Sequence, residues 1–279
     1  MEPTLAVMNG LIPVGYLIAL LGYLLVFVNQ QSRMGSWVTG FTWLLVVVHG
    51  SYLVLSGIEY EHVPLASTWE SLTFTAFAMA LVYLVLEWQM RDRSTGVFLL
   101  SGALFLQILS TAFISPVREV PAILRSPMFG IHVSTALIGY VALAVSALYG
   151  LMYLIQYRQL KHQHVGLLFQ RLPNLETLSR LNVRALGIGW LGLTVAILAG
   201  TVWAYNLRLT GILQVNPFLD PKFLLTAGLW VIYGVCLGGL YLDRWPKRLL
   251  ASMSVLAFLL MLGSSLVVTL MFPSFHDFT

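Results

Sequence analysis

Phe129-Gly-Ile-His132-Val-Ser-Thr-Ala-Leu-Ile-Gly-Tyr140-Val-Ala-Leu-Ala-Val-Ser-Ala-Leu-Tyr-Gly150-Leu-Met-Tyr-Leu-Ile-Gln-Tyr157 carries no Asp, Glu, Lys or Arg. Coiled as a helix at about 1.5 Å per residue, such a run outreaches the roughly 30 Å hydrocarbon core of a bilayer. The one imidazole, His132, stands at its entrance rather than in its middle. A second late histidine, His276, follows the last apolar run, so two imidazoles far apart in sequence fall at one rim. That is the arrangement of a bis-histidine metal or haem site.

The composition generalises this reading. Hydrophobic residues make up 58% of the 279 residues and charged residues 9%, against about 25% charged in soluble domains. Eight runs are long enough to span: Leu11–Gln30, Trp37–Ser56, Trp69–Trp88, Gly96–Ser115, Phe129–Tyr157, Ala185–Asn206, Phe223–Leu242 and Leu249–Met271. The expected fold is an all-α, polytopic membrane bundle of about eight helices, forming a single integral domain over residues 1–279.

Cationic loops resist translocation. Eleven of the 15 basic residues fall on one side: Arg33, Arg91, Arg93, Arg158, Lys161, Arg171, Arg180, Arg184, Arg244, Lys247 and Arg248. Arg118, Arg125, Arg208 and Lys222 fall on the other, so both termini are expected outside. The net charge of +4 thus belongs to inner loops facing lipid headgroups, not to a nucleic-acid surface. Met1–Gly10 has Glu2 and no basic residue, unlike a cleavable secretory leader, and Leu11–Gln30 is read as the first span.

The lone cysteine, Cys236, excludes an internal disulfide, a CxxC pair and a thiolate cluster. In the long inner connection, about 158–184, Leu172, Leu175, Leu178 and Leu181 recur beside Glu176 and Arg180, with Pro173 and Asn174 ahead of them. This predicts a short amphipathic helix on the membrane surface. His162 and His164, two positions apart, point to different faces of any helix.

His49 lies deep in the second run, where an ionisable group is costly without a partner. An uncharged, interior-facing imidazole bonded to a neighbouring helix is one reading and a ligand-contacting histidine is the other. Ser67 or Thr68 is placed to cap the third helix, with Glu70 in its first turn. His62 beside Glu59 or Glu61 carries a further, divalent-ion reading.

Three stretches then become familiar. Glu61-His62-Val-Pro-Leu-Ala-Ser-Thr-Trp-Glu70-Ser-Leu72, Ile131-His132 through Leu143, and Asn182-Val-Arg184 through Leu198-Ala-Gly200-Thr-Val-Trp203-Ala204 resemble successive parts of the haem-handling cytochrome c assembly proteins of the CcsA type. The resemblance runs from about Trp43 to the C-terminus. It implies haem held at the outer face, with His132 and His276 as iron ligands, Trp203 and Asp220 in the connecting loop, and Arg118, Arg125 or Lys222 meeting the propionates. His49 is the buried candidate for haem contact.

The chain departs from the family's Trp-Gly-x-x-Trp-x-Trp-Asp pattern: Ala204 follows Trp203, the later tryptophans are gone, and Gly238 stands where some members place a second buried histidine. The function implied is haem binding or delivery in cytochrome c maturation, in a bacterial plasma membrane, with apocytochrome c or other maturation proteins as partners. This is an assembly factor rather than a stand-alone enzyme. A non-catalytic membrane scaffold or regulator of haem synthesis or of a respiratory complex, needing no haem, stands beside it.

The charge asymmetry is directly testable with an impermeant thiol reagent on single cysteines in a Cys236→Ser background. Ser274→Cys should label in intact cells, and Arg93→Cys and Lys161→Cys should label only after lysis. Labelling of Lys161→Cys in intact cells sinks the topology.

Overall fold

A computed structural model describes residues 3–29, 32–115, 120–163, 166, 170–211, 216–241 and 245–271. Among them the regular structure is helical: α1 (Pro3–Asn29), α2 (Ser32–Glu59), α3 (Thr68–Met90), α4 (Gly96–Phe113), α5 (Pro127–Lys161), α6 (Leu175–Leu209), α7 (Pro221–Tyr241) and α8 (Lys247–Met271). Two short 3-10 turns, Ala122–Arg125 and Pro217–Leu219, precede α5 and α7. All eight helices are long and apolar enough to cross a membrane, as expected. Several outrun their apolar cores, α1 by starting at Pro3 and α6 at Leu175, because a helix satisfies its own backbone through the headgroup layer as well as the hydrocarbon.

The expected surface helix is not a separate element. Asn174 Oδ1 accepts the Thr177 N–H at 2.9 Å, which starts α6, and the helix then continues unbroken to Leu209. Leu178 and Leu181 are buried. Their stripe therefore packs on protein instead of lying on headgroups.

The chain forms two compact units, Met1–Gly130 with Gln159–Thr177, and Ile131–Arg158 with Leu178–Thr279. In the first, α1 packs on α2 and α4, and α3 packs on α4 and α2, closing a four-helix ring. Tyr16, Tyr23 and Tyr83 are completely buried in its interior. The predicted cap of α3 is present as a reciprocal box: Ser67 accepts the Glu70 N–H, and Glu70 Oε2 accepts the N–H groups of Ala66 at 2.8 Å and Ser67 at 3.2 Å. At the other end of α3, Glu87 is buried and accepts from Tyr23 and Thr39, with the Arg93 guanidinium 3.2 Å away.

In the second unit α5 and α6 cross through glycine. A Cβ on Gly192 would lie 2.8 Å from the Gly139 Cα, and one on Gly139 would lie 3.0 Å from the Leu193 nitrogen. Association between helices in lipid depends on close backbone approach rather than on hydrophobic drive, and small residues permit it. Beside the crossing, Asn182 Nδ2 donates to the Ser146 carbonyl at 2.8 Å, Ser146 Oγ donates to the Asn182 carbonyl at 3.0 Å, and Ser254 Oγ on α8 donates to Asn182 Oδ1 at 3.3 Å. Trp190 and Trp230 stack with centroids 5.3 Å apart and tie α6 to α7, Trp190 Nε1 donating to the Trp230 carbonyl and Trp230 Nε1 to Thr194.

Gly192→Leu should therefore overpack the crossing and destabilise the protein by about 1–3 kcal/mol. A lowered thermal midpoint in detergent would register this. An unchanged midpoint would mean that α5 and α6 do not approach so closely.

Candidate functional site

Three helices of the second unit, α5, α6 and α7, enclose a cavity of about 230 Å³ at the end where α5 begins. Pro127 opens α5 at the one helical position that loses nothing by lacking an N–H. His132 follows in its second turn. His132, Ala136 and Tyr140 recur at four-residue spacing and line the cavity, so the slot follows α5 for roughly 12 Å.

His132 is held rather than merely present. Its Nδ1–H donates to the Ala196 carbonyl on α6 at 2.8 Å. A carbonyl only accepts, so the proton is on Nδ1 and the lone pair on Nε2, the tautomer a metal-ligating histidine uses. The Trp203 ring is buried with its centroid 6.2 Å from that of His132. Phe218 and Phe223, edge to face at 5.5 Å, and Lys222 line the α7 side. Deeper in, Thr226 Oγ1 donates to the Lys222 carbonyl at 2.8 Å, so Tyr140 is the donor in its 3.3 Å bond to Thr226.

Of the residues singled out in the sequence, the fold brings His132, Trp203 and Lys222 to one cavity. Asp220 stands next to them with a local task. Its Oδ1 accepts the N–H groups of Lys222 at 2.9 Å and Phe223 at 3.3 Å, capping α7. Leu219 is exposed and outside the lining, whereas Phe218 belongs to it. Arg125 is in the other unit, where it lines a recess with Glu59, Tyr60 and Glu61. Arg118 and His276 lie outside the described residues, as does His164.

His49 is fully buried inside the first unit. Thr73 Oγ1 donates to Gln107 Oε1 at 2.7 Å, so in its 3.0 Å contact with His49 Nε2 it accepts the ring N–H. Tyr16 lies 3.0 Å from Nδ1 and supplies the proton there. The chain of bonds continues as Gln107 Nε2 donates to Thr111 at 3.0 Å and Thr111 reaches Asn9. His62 engages Glu70, at 3.8 Å, and the Val63 carbonyl, at 2.8 Å.

Sequence reasoning passed over the Ala196 carbonyl, Gly200, Tyr140 and Thr226 in the cavity and Gln107 and Glu87 in the first unit. Polar residues inside apolar runs did signal the last two. A backbone carbonyl carries no sequence signal.

As a haem seat the cavity supplies one correctly presented imidazole, an aromatic wall and one cation. Its volume is below the roughly 300–1,000 Å³ of clefts that enclose drug-sized ligands, so it has room for part of a macrocycle.

A family model described as cytochrome C assembly protein matches residues 65–276, a stretch that opens two residues before the α3 cap and takes in α3 to α8. Over 264 residues the chain is 26% identical to Protein HemX of Brevibacillus brevis, covering 94% of each. To the cytochrome c biogenesis protein CcsA of Guillardia theta it is 25% identical, covering 94% of this chain and 92% of the relative. To the CcsA of Parasynechococcus marenigrum it is 29% identical, covering 94% and 93%. His49 lies outside the family match.

His49→Leu should cost about 1–3 kcal/mol by leaving the Tyr16 and Thr73 hydroxyls without their partner, and His49→Gln should cost less. Denaturant or thermal unfolding of both variants tests the ordering. Equal stability of wild type and His49→Leu would remove the structural role.

Proposed function

The chain belongs to the cytochrome c assembly protein family, and we propose that it binds haem at the outer end of the α5–α6–α7 cavity and presents it during cytochrome c maturation. A role in cytochrome c biogenesis follows from the family. The observation that carries the finer reading is His132, whose Nδ1–H is committed to the Ala196 carbonyl inside a cavity that also contains Trp203 and Lys222.

In this reading Nε2 of His132 would be one ligand to the haem iron and His276, the final residue of the family match, would be the second. Bound haem would supply an iron that takes imidazole nitrogen and two carboxylates that take cations. Trp203, Phe218 and Phe223 give apolar and aromatic contact, and Lys222 offers a cation to a propionate. Arg118 and Arg125 are the other cations assigned to the outer side. Asp220 acts indirectly, by fixing the first turn of α7 from which Lys222 and Phe223 project. Apocytochrome c or other maturation proteins receive the haem, and the setting is the bacterial plasma membrane.

With the family's later tryptophans gone, stacking worth roughly 1 kcal/mol or more per ring is lost, so binding is weaker than in members with the full motif. The second reading, a membrane scaffold or regulator that needs no haem, is favoured by that loss and by the likeness to Protein HemX over 94% of each chain.

The decisive measurement is the visible spectrum of detergent-purified protein produced with ample haem. Wild type should show a Soret band, and His132→Ala and His276→Ala should each bleach or shift it, with partial recovery on adding imidazole. Colourless wild type, or unchanged spectra in both variants, would transfer the case to the scaffold.

A further inference from the structure

The cavity wall contains a seat for His132 that none of the side chains assigned to haem contact provides. A Cβ built on Gly200 would lie 2.6 Å from both Cε1 and Nδ1 of His132. In a regular helix the N–H of residue 200 already bonds the carbonyl of residue 196. The Ala196 carbonyl therefore has one lone pair in the α6 ladder and uses the other for the His132 Nδ1–H at 2.8 Å. An incoming ring reaches that second lone pair only by passing over the position four residues on. At 200 the helix has nothing in the way.

We infer that Gly200 is a positioning residue: by leaving the Ala196 carbonyl open to His132, it keeps the imidazole proton on Nδ1 and presents Nε2 to the ligand. The inference rests on the haem reading for its consequence and on the placement of His132, Ala196 and Gly200 for its substance.

A methyl at position 200 forces the ring off α6. Nδ1 then loses its acceptor, the proton is free to move to Nε2, and the lone pair that would meet iron is lost in that fraction of molecules. The helix itself has no objection, since alanine is the better helix former. Gly187, on the same helix, supplies the control, for a Cβ there meets nothing within 4 Å.

The test has two arms on the full-length protein. In the first, ¹⁵N-histidine spectra of haem-free protein report the tautomer of His132, its signal identified by disappearance in His132→Gln. Wild type and Gly187→Ala should carry Nδ1–H, and Gly200→Ala should lose that state while staying folded. In the second, haemin titration followed at the Soret band should show Gly200→Ala about 10–100-fold weaker than wild type, the range for loss of an outer-shell partner of a metal-bound histidine.

Retention of the Nδ1–H signal in Gly200→Ala overturns the inference. So does a lost signal with unchanged haemin affinity, which would leave the seat without a positioning role. If Gly200→Ala does not stay folded in detergent, Gly200→Ser and the matching Gly187→Ser repeat the tautomer measurement, and retention there is equally fatal. Wild type that takes no haemin, with the tautomer still lost in Gly200→Ala, defeats the proposed function and upholds the seat.

Discussion

Inside hydrocarbon a polar group has only the protein to bond with, and in both units this constraint decides which helices meet and in what rotation. In the first unit the bonds run from Tyr16 on α1 through His49 on α2 and Thr73 on α3 to Gln107 and Thr111 on α4 and back to Asn9 on α1. Each donor in that circuit is spoken for because Thr73 has a single proton and Gln107 takes it. Rotating any of the four helices by one residue breaks at least one bond. In the second unit Asn182 does the same for α5, α6 and α8, and the crossed bonds of Trp190 and Trp230 do it for α6 and α7. Apolar side chains cannot supply such discrimination, since lipid tails solvate them as well as a neighbouring helix does.

How much of this was legible in the sequence depends on the kind of signal. Length and hydropathy carry the spans, because the solvent is apolar along the whole crossing. The α3 cap was legible because Ser67 and Glu70 act on backbone three residues away, a distance that sequence measures directly. The convergence of His132, Trp203 and Lys222 was legible from topology, which assigns the start of α5, the end of α6 and the start of α7 to one side. The partners of His49 were not, since Thr73 and Tyr16 are brought to it by helix rotation, which hydropathy leaves open. The continuity of α6 was missed for a different reason. A leucine stripe at helical spacing reads alike whether it lies on headgroups or packs on protein, and burial of Leu178 and Leu181 is a tertiary fact.

His49 and His132, both singled out in the sequence, are separated by the chemistry of what holds them. His49 sits between hydroxyls, groups that donate and accept, and its tautomer is fixed only because Gln107 removes the choice from Thr73. Both its ring nitrogens are consumed in closing a helix ring. At His132 the partner of Nδ1 is a carbonyl, which accepts and does nothing else. That bond fixes a proton on one side of the ring and a lone pair on the other. An imidazole held in this way has a direction, and in this unit the ring lines a cavity bordered by small residues, Ala136, Ala196, Gly200 and Ala204. Two helices, α5 and α6, present these small residues around one oriented histidine, while the histidine of the other unit is walled in by its partners. The proposed binding chemistry therefore belongs to the unit that holds His132, and the buried polar circuit of the first unit belongs to its folding.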